Sequence, residues 1–166
     1  TLLNHIDKKY VGVLACVLQA ACCIAFYFMG EAGVGSMIVA VVGFIYGATN
    51  LVTLTSVSLC GELIDDNWIR TGKRSDGVIA TAVSFSTKIA NAIGGSIGIL
   101  ILGAVGFVAN TEMSASTLTK INAVINFGPA ICFALAIIPF LMIRMTNKKG
   151  RENEQKIKEM MKTENA

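Results

Sequence analysis

Residues 121–143 read INAVINFGPAICFALAIIPFLMI and hold no charged side chain. A helix needs roughly 20 apolar residues to cross the hydrocarbon core of a membrane, at about 1.5 Å per residue. The stretch is long enough to do so, and it lacks the strict polar and apolar alternation of a barrel strand. It therefore predicts a transmembrane helix.

The chain as a whole has the composition of a membrane protein. Of its 166 residues 54% are hydrophobic and only 15% are charged, whereas soluble domains carry roughly 25% charged residues. The mean hydropathy is +0.63. These values exclude a disordered chain, a collagen and a typical cytosolic enzyme.

Four apolar runs predict an all-α membrane protein with four transmembrane helices. They cover about residues 10–29, 35–60, 77–109 and 119–144, and a polar tail follows at 145–166. The third run is longer than the hydrocarbon core is thick, so its helix must tilt or protrude. Because the chain begins at Thr1 rather than at methionine, we expect it to be cut out of a longer protein.

Lysine and arginine cluster before the first run, between the second and third runs, and in the tail. The other two connections, residues 30–34 and 110–118, hold neither. By the positive-inside rule, both termini and the middle loop lie in the cytoplasm. The chain is therefore predicted to be a multi-pass protein of the inner (plasma) membrane. Four spans return the chain to its starting side, in agreement with this charge bias.

An enzyme is not favoured. Ser96 lies in a G-x-S-x-G pattern, but a serine nucleophile needs a base within hydrogen-bond reach. His5 lies before the first run, and Lys88 lies about 12 Å away along a helix. The same residues place Gly94 and Gly98 at the spacing of a close-packing face between helices.

The sequence also predicts no metal site, disulfide framework, phosphate-binding loop or nucleic-acid site. The five cysteines lie in or at the end of apolar runs, without a C-x-x-C pair, so neither a metal site nor a disulfide framework is predicted. No phosphate-binding loop is present. The basic tail lacks the interleaved aromatic residues of a nucleic-acid site, and its charge spacing predicts a short surface helix.

Lys88 is a charge inside the third apolar run. It lies twelve residues, or roughly 18 Å of helix, beyond Asp76, which is far for a snorkelling side chain. Polar residues recur around it at steps of three and four: Thr81, Ser84, Asn91 and Gly95 complete the stripe. Intramembrane charges usually face a cavity or a partner. The stripe therefore indicates a water-filled or ligand-lined pathway, although serine and threonine also occur where helices pack.

The connection from Glu62 to Asp76 concentrates charges of both signs. Its acids are Glu62, Asp65, Asp66 and Asp76, and its bases are Arg70, Lys73 and Arg74. A solvated connector between two helices is enough to explain these charges. The alternative is an ion-pair latch that closes a cytoplasmic gate.

The same segment resembles a known family, the glycoside–pentoside–hexuronide:cation symporters of the major facilitator superfamily, which include melibiose permeases. The family's loop after its tenth helix reads close to A-D-x-x-D-Y-G-E-[WY]-K-x-G-x-R-x-[ED], with a membrane lysine twelve residues later. Matching positions here are Asp65, Arg70 for lysine, Thr71, Gly72, Arg74, Asp76 and Lys88, and residues 103–107 resemble the G-x-x-G-Y end of the eleventh helix. The chain departs from the family pattern at Glu62, where the family has aspartate, and at residues 66–69.

The resemblance implies that the four spans are helices nine to twelve of a twelve-helix transporter, which moves a sugar or glycoside with Na⁺ or H⁺ and needs no other cofactor. Lys88 falls on the family's membrane lysine, so the resemblance and the polar stripe together predict a coupling site at Ser84, Lys88 and Asn91. The opposite charges of the connection predict a cytoplasmic gate at Glu62, Asp65, Arg74 and Asp76. The N-terminal half and the lipid bilayer would be the partners. The alternative is a self-contained four-helix membrane protein, acting as an oligomeric scaffold or small exporter.

Overall fold

The computed structural model describes residues 7–33, 35–48 and 51–164, and all of its regular elements are helices. The helices are α1 Lys8–Ala32, α2 Ser36–Ala48, α3 Leu51–Thr71, α4 Asp76–Ala104, α5 Ala115–Met142 and α6 Asn147–Glu164. Within the described residues, four helical segments are long and apolar enough to cross a membrane. They are Lys8–Ala32, Met37–Thr71, Asp76–Ala104 and Ala115–Met142. The predicted all-α class is confirmed.

The helix ends differ from the predicted run boundaries where glycine sets the backbone. α4 stops at Ala104 rather than near residue 109, because Gly106 takes a positive φ of 92° and the Phe107 N–H donates back to the Leu102 carbonyl. Such a left-handed residue commonly ends a helix. Gly33 ends α1 in the same way, at a φ of 61°, with its N–H on the Met29 carbonyl.

The predicted connection between the second and third runs is mostly helical. α3 continues through the charged residues to Thr71, and Gly72, at a φ of 68°, ends it by donating to the Trp68 carbonyl. The charges Glu62, Asp66 and Arg70 recur at intervals of four, so they lie on one face of this helix. Only residues 72–75 separate α3 from α4.

The core of the bundle lies where α1, α3 and α5 meet. Cys16 of α1, Leu59 of α3 and Phe140 of α5 are buried together with Met145, which follows α5. Gly12 brings α1 and α5 close, because a Cβ added there would lie 2.5 Å from the Phe140 ring. α4 is different: none of its residues is buried. Its apolar side chains, including Phe85, Ile93 and Leu100, are exposed.

Gly12→Ala should destabilise the bundle. The new methyl group would displace the buried Phe140 ring, and overpacking of this kind typically costs about 1–3 kcal/mol. We expect a lower thermal unfolding midpoint in detergent. Gly61→Ala is the matched control, because Gly61 lies inside α3 and a Cβ added there would have no atom within 4 Å. An unchanged midpoint in Gly12→Ala would contradict the close contact of α1 and α5.

Candidate functional site

The predicted coupling residues share one helix. Ser84, Lys88 and Asn91 all lie on α4 and all are exposed. Within the part of the chain that the structure describes, Lys88 has no hydrogen-bond or salt-bridge partner. The stripe is therefore assembled on α4 as the spacing predicts, but none of the other described helices closes over it.

Two threonines of α4, one of them in the stripe, donate hydrogen bonds to backbone carbonyls of their own helix. The Thr81 hydroxyl donates to the Gly77 carbonyl at 2.7 Å, and the Thr87 hydroxyl donates to the Val83 carbonyl at 2.9 Å. At Gly94 and Gly98, the expected close-packing face, an added Cβ would have no described neighbour within 4 Å. Lys88 is thus the charged group that dominates an open helix face.

The predicted gate residues fall into two groups. Arg74 Nε lies 2.6 Å from Asp76 Oδ2, and the Arg74 guanidinium stacks 5.0 Å from the centroid of the Trp68 ring. The Asn67 amide donates to the Ser75 hydroxyl at 2.9 Å. These contacts stabilise the conformation of the short connection between α3 and α4.

The other two gate residues lie beside different parts of the chain, the starts of α1 and α6. Glu62 Oε1 lies 2.5 Å from Lys8 Nζ, which also donates to the Ser58 hydroxyl at 2.9 Å. Asp65 is half-buried and lines a pocket beside Lys8 and Asn147. The structure therefore joins Arg74 to Asp76 but does not bring Asp65 into that pair.

Asp66 makes the contacts that sequence reasoning missed. Its carboxylate lies 2.9 Å from Lys149 Nζ and accepts a 3.1 Å hydrogen bond from the Asn153 amide. Arg70 lies 3.9 Å away, one turn along α3. The Asp66 side chain is only 14% exposed. The spacing of Glu62, Asp66 and Arg70 by four residues was the one signal in the sequence for this face.

The tail forms a helix, as its charge spacing predicts, and this helix docks on α3. Asn153 and Ile157 of α6 are buried. The starts of α1 and α6 also hold each other, because the Asn147 N–H donates to Asp7 Oδ1 at 2.9 Å and the Lys8 N–H donates to Asn147 Oδ1 at 3.3 Å. α6 thus ties the N-terminal end of α1 to the C-terminal end of α3.

The exposed side of α6 carries its own ion pairs. Lys158 Nζ lies 2.6 Å from Glu154 Oε1, and the hydrogen bond from Lys158 lowers the pKa of the Glu154 carboxyl. Lys148 lies 3.9 Å from Glu152. Exposed pairs such as these contribute little to stability. The contacts that dock α6 on α3 include the Asp66–Lys149 pair, the hydrogen bond from Asn153 to Asp66 and the buried Ile157.

At the other end of the bundle, α1 and α5 are joined by an asparagine pair. The Asn122 amide donates to the Tyr27 carbonyl at 3.0 Å and to Glu31 at 3.3 Å. Asn126 in turn donates to Asn122 Oδ1 at 2.8 Å. A Cβ added at Gly30 would lie 2.7 Å from the Asn122 amide nitrogen. This end of α1 is therefore closely fitted to α5.

The chain matches known proteins over most of its length. Residues 2–147 match the family described as MFS/sugar transport protein. The chain is 33% identical over 103 residues to the isoprimeverose transporter of Lactiplantibacillus pentosus, covering 62% of this chain and 20% of that protein. It is 28% identical over 153 residues to the glucuronide carrier protein homolog of Escherichia coli (strain K12), covering 91% of this chain and 33% of that protein.

The chain spans only a fifth to a third of the length of these curated relatives. No solved structure matches it significantly. The family match covers the four membrane helices and the charged connection together, so the resemblance carried by residues 65–107 is confirmed, and the match is to a family of transport proteins rather than of enzymes. The chain belongs to the MFS/sugar transport protein family of multi-pass membrane proteins.

Proposed function

We propose that this chain is the C-terminal part of a secondary transporter that moves a sugar or glycoside together with Na⁺ or H⁺ by alternating access. The observation that carries the proposal is the open polar stripe on α4, in a chain whose family transports sugars. In such transporters the substrate and coupling-ion sites lie near the bilayer midplane, between structural repeats. The self-contained four-helix alternative is not favoured by the family match.

In this proposal Lys88 couples the sugar to the cation, and Ser84 and Asn91 supply neutral hydrogen-bonding groups beside it. An ammonium group at this depth requires a carboxylate, a hydroxyl or water to offset its desolvation. The described part of this chain offers Lys88 no carboxylate. The missing N-terminal half is therefore the proposed source of the acidic partner and of the cation site.

The charged residues around α3 form the proposed cytoplasmic gate. Asp76 Oδ2 is paired with Arg74, whereas Asp76 Oδ1 is buried without a hydrogen-bond partner among the described residues. That second oxygen is available to a basic group of the missing half when the cytoplasmic side closes. Glu62 and Asp65 line a separate pocket with Lys8 and would adjust as α3 moves.

The experiment that tests the transport function uses the full-length parent in sealed proteoliposomes. Isoprimeverose and a glucuronide are suitable first probes, because the names of two relatives report these substrates. We expect saturable uptake of a sugar or glycoside that increases with an inward Na⁺ or H⁺ gradient and disappears when the gradient is collapsed. Absence of such uptake across a wide panel of sugars and glycosides would remove the proposal.

Arg74→Ala in the parent should slow transport while leaving equilibrium sugar binding within a few-fold. Removing the pair with Asp76 alters the balance of inward-open and outward-open states, and it touches no proposed sugar contact. Lys73→Ala is the matched control, because Lys73 is an exposed base in the same connection. Loss of sugar binding at an unchanged protein level would instead assign Arg74 a direct ligand role.

The proposed orientation predicts labelling from opposite sides of the membrane. A cysteine introduced at Glu112 should react with an impermeant thiol reagent in intact cells, and one at Lys73 should react only after permeabilisation. Both positions are exposed and neither caps a helix. The native cysteines are replaced first. Labelling of position 73 in sealed cells would overturn the orientation.

A further inference from the structure

A triangle of polar contacts joins the ends of α1, α3 and α6 on the proposed cytoplasmic side. α1 is joined to α3 because Lys8 contacts Glu62 and Ser58. α3 is joined to α6 through Asp66. α6 is joined back to the start of α1 through Asn147. α6 therefore forms one side of a triangle that holds the ends of α1 and α3 in place.

Few apolar contacts hold α6 in this triangle. Among the residues of α6 whose burial the structure describes, Asn153 and Ile157 are buried, and Ile157 is the apolar one. A polar pocket of about 360 Å³ lies between the three helices, lined by residues such as Lys8, Asp65 and Arg151. Permanent interfaces are typically the more hydrophobic ones. The contacts of α6 are therefore those of an element that docks reversibly.

Asp66 holds α6 with two polar contacts, and it is particular to this chain. Its carboxylate lies 2.9 Å from Lys149 Nζ and accepts the 3.1 Å hydrogen bond from the Asn153 amide. The family pattern has tyrosine where this chain has Asp66, so the contact does not follow from the family resemblance. Removing one member of a shielded ion pair leaves the other charge uncompensated. Docking of α6 therefore depends on the pair of Asp66 and Lys149.

The same end of α3 leads into the proposed gate. Asn67 follows Asp66 directly and donates to the Ser75 hydroxyl. Trp68 comes next and stacks on the Arg74 guanidinium. While α6 is docked, this end of α3 is held against both α1 and α6, so it is restrained from shifting. Release of α6 removes one of these restraints from α3 and from the gate connection that follows it.

We propose that α6 is a reversible clamp, which holds the ends of α1 and α3 together in one conformation of the transporter and leaves Asp66 when the cytoplasmic side opens. The inference rests on the proposed transport function and adds to it a conformational device outside the gate residues. The alternative is a permanent anchor, in which α6 stays on α3 throughout the transport cycle. Two measurements separate the clamp from the anchor, and the first of them does not depend on transport.

The first measurement follows the docking of α6 by limited trypsin digestion of the full-length parent in detergent, because the basic residues of a released α6 are open to cleavage. Lys149→Met removes the pair with Asp66. Lys148→Met is the matched control, because it also removes one cleavage site and the Lys148 side chain is 88% exposed. Lys149→Arg keeps both the charge and the cleavage site.

We expect the tail to be cleaved about tenfold faster in Lys149→Met than in the wild type, the size of one lost hydrogen bond to a charged group. Lys148→Met and Lys149→Arg should be cleaved at close to the wild-type rate. Equal cleavage of Lys149→Met and Lys148→Met would show that the pair does not hold α6, and it would overturn the clamp.

The second measurement asks whether transport requires the release of α6. Cysteines replace Asp66 and Asn153, whose side chains are in hydrogen-bond contact, in a parent without its native cysteines. A short bis-methanethiosulfonate reagent joins α3 to α6, and a reductant separates them again. Uptake of isoprimeverose or of p-nitrophenyl glucuronide, whichever the parent transports, is measured in proteoliposomes before and after reduction.

We expect the joined protein to show less than about a tenth of the uptake that the same preparation shows after reduction. Asp66→Cys alone, treated with the same reagent, should keep its uptake. Equal uptake before and after reduction would identify α6 as a permanent anchor and would overturn the clamp. A parent that transports no sugar would instead remove the underlying transport function, and the digestion of Lys149→Met then decides by itself whether α6 docks through Asp66.

Discussion

Lys88→Ala in the full-length parent should abolish cation-coupled sugar uptake while the protein still inserts into the membrane. The Lys88 ammonium lies on an exposed face of α4, near the middle of its span, and has no partner among the described residues of this chain. A charge at that depth is retained only where a carboxylate, a hydroxyl or water compensates it. Removing it should leave the proposed acidic partner in the other half uncompensated, so the coupled cycle stops.

The measurement is initial uptake under an inward cation gradient, normalised to the amount of protein in the vesicles. We expect Lys88→Ala to fall to the level of empty vesicles. Lys88→Arg should rescue poorly, because a guanidinium is larger and planar and does not replace a compact ammonium. Lys162→Ala is the control, because Lys162 is an exposed base on α6. Near-normal uptake by a well-expressed Lys88→Ala parent would assign Lys88 to packing alone.

The number of membrane helices and the all-α class could be predicted because they depend on the length of each apolar run. Residues 121–143 contain no charge. Backbone N–H and C=O groups without hydrogen bonds are costly in lipid, so such a segment forms a helix, in which they bond to one another. The exact ends could not be predicted in the same way. The residues from Val105 to Ala109 are apolar enough to continue α4. However, hydropathy carries no information about the positive φ at Gly106, which ends the helix.

The stripe on α4 could be predicted because all of its members lie on one helix, where spacing determines the face. The contacts of Asp66 could not. Its partners Lys149 and Asn153 are more than eighty residues away in the sequence, and they reach it only because α6 docks on α3.

This chain expressed alone should show no sugar uptake above that of empty vesicles. Its stripe on α4 faces none of the other described helices, and α4 buries none of its residues. Alternating access requires two halves that rock against each other around a shared site. Without the proposed N-terminal half, there is neither an opposing wall for Lys88 nor a second conformation in which the site faces the other side.

Co-expression of the missing N-terminal half as a separate chain supplies the decisive comparison. We expect the two chains together to recover part of the cation-driven uptake of the intact parent, because membrane helices that have inserted independently associate by packing afterwards. The same N-terminal half with a Lys88→Ala version of this chain should recover none, although both proteins are present in the membrane. Saturable, cation-dependent uptake by this chain alone would contradict the two-half mechanism, and it would favour a small exporter assembled from copies of the four-helix unit.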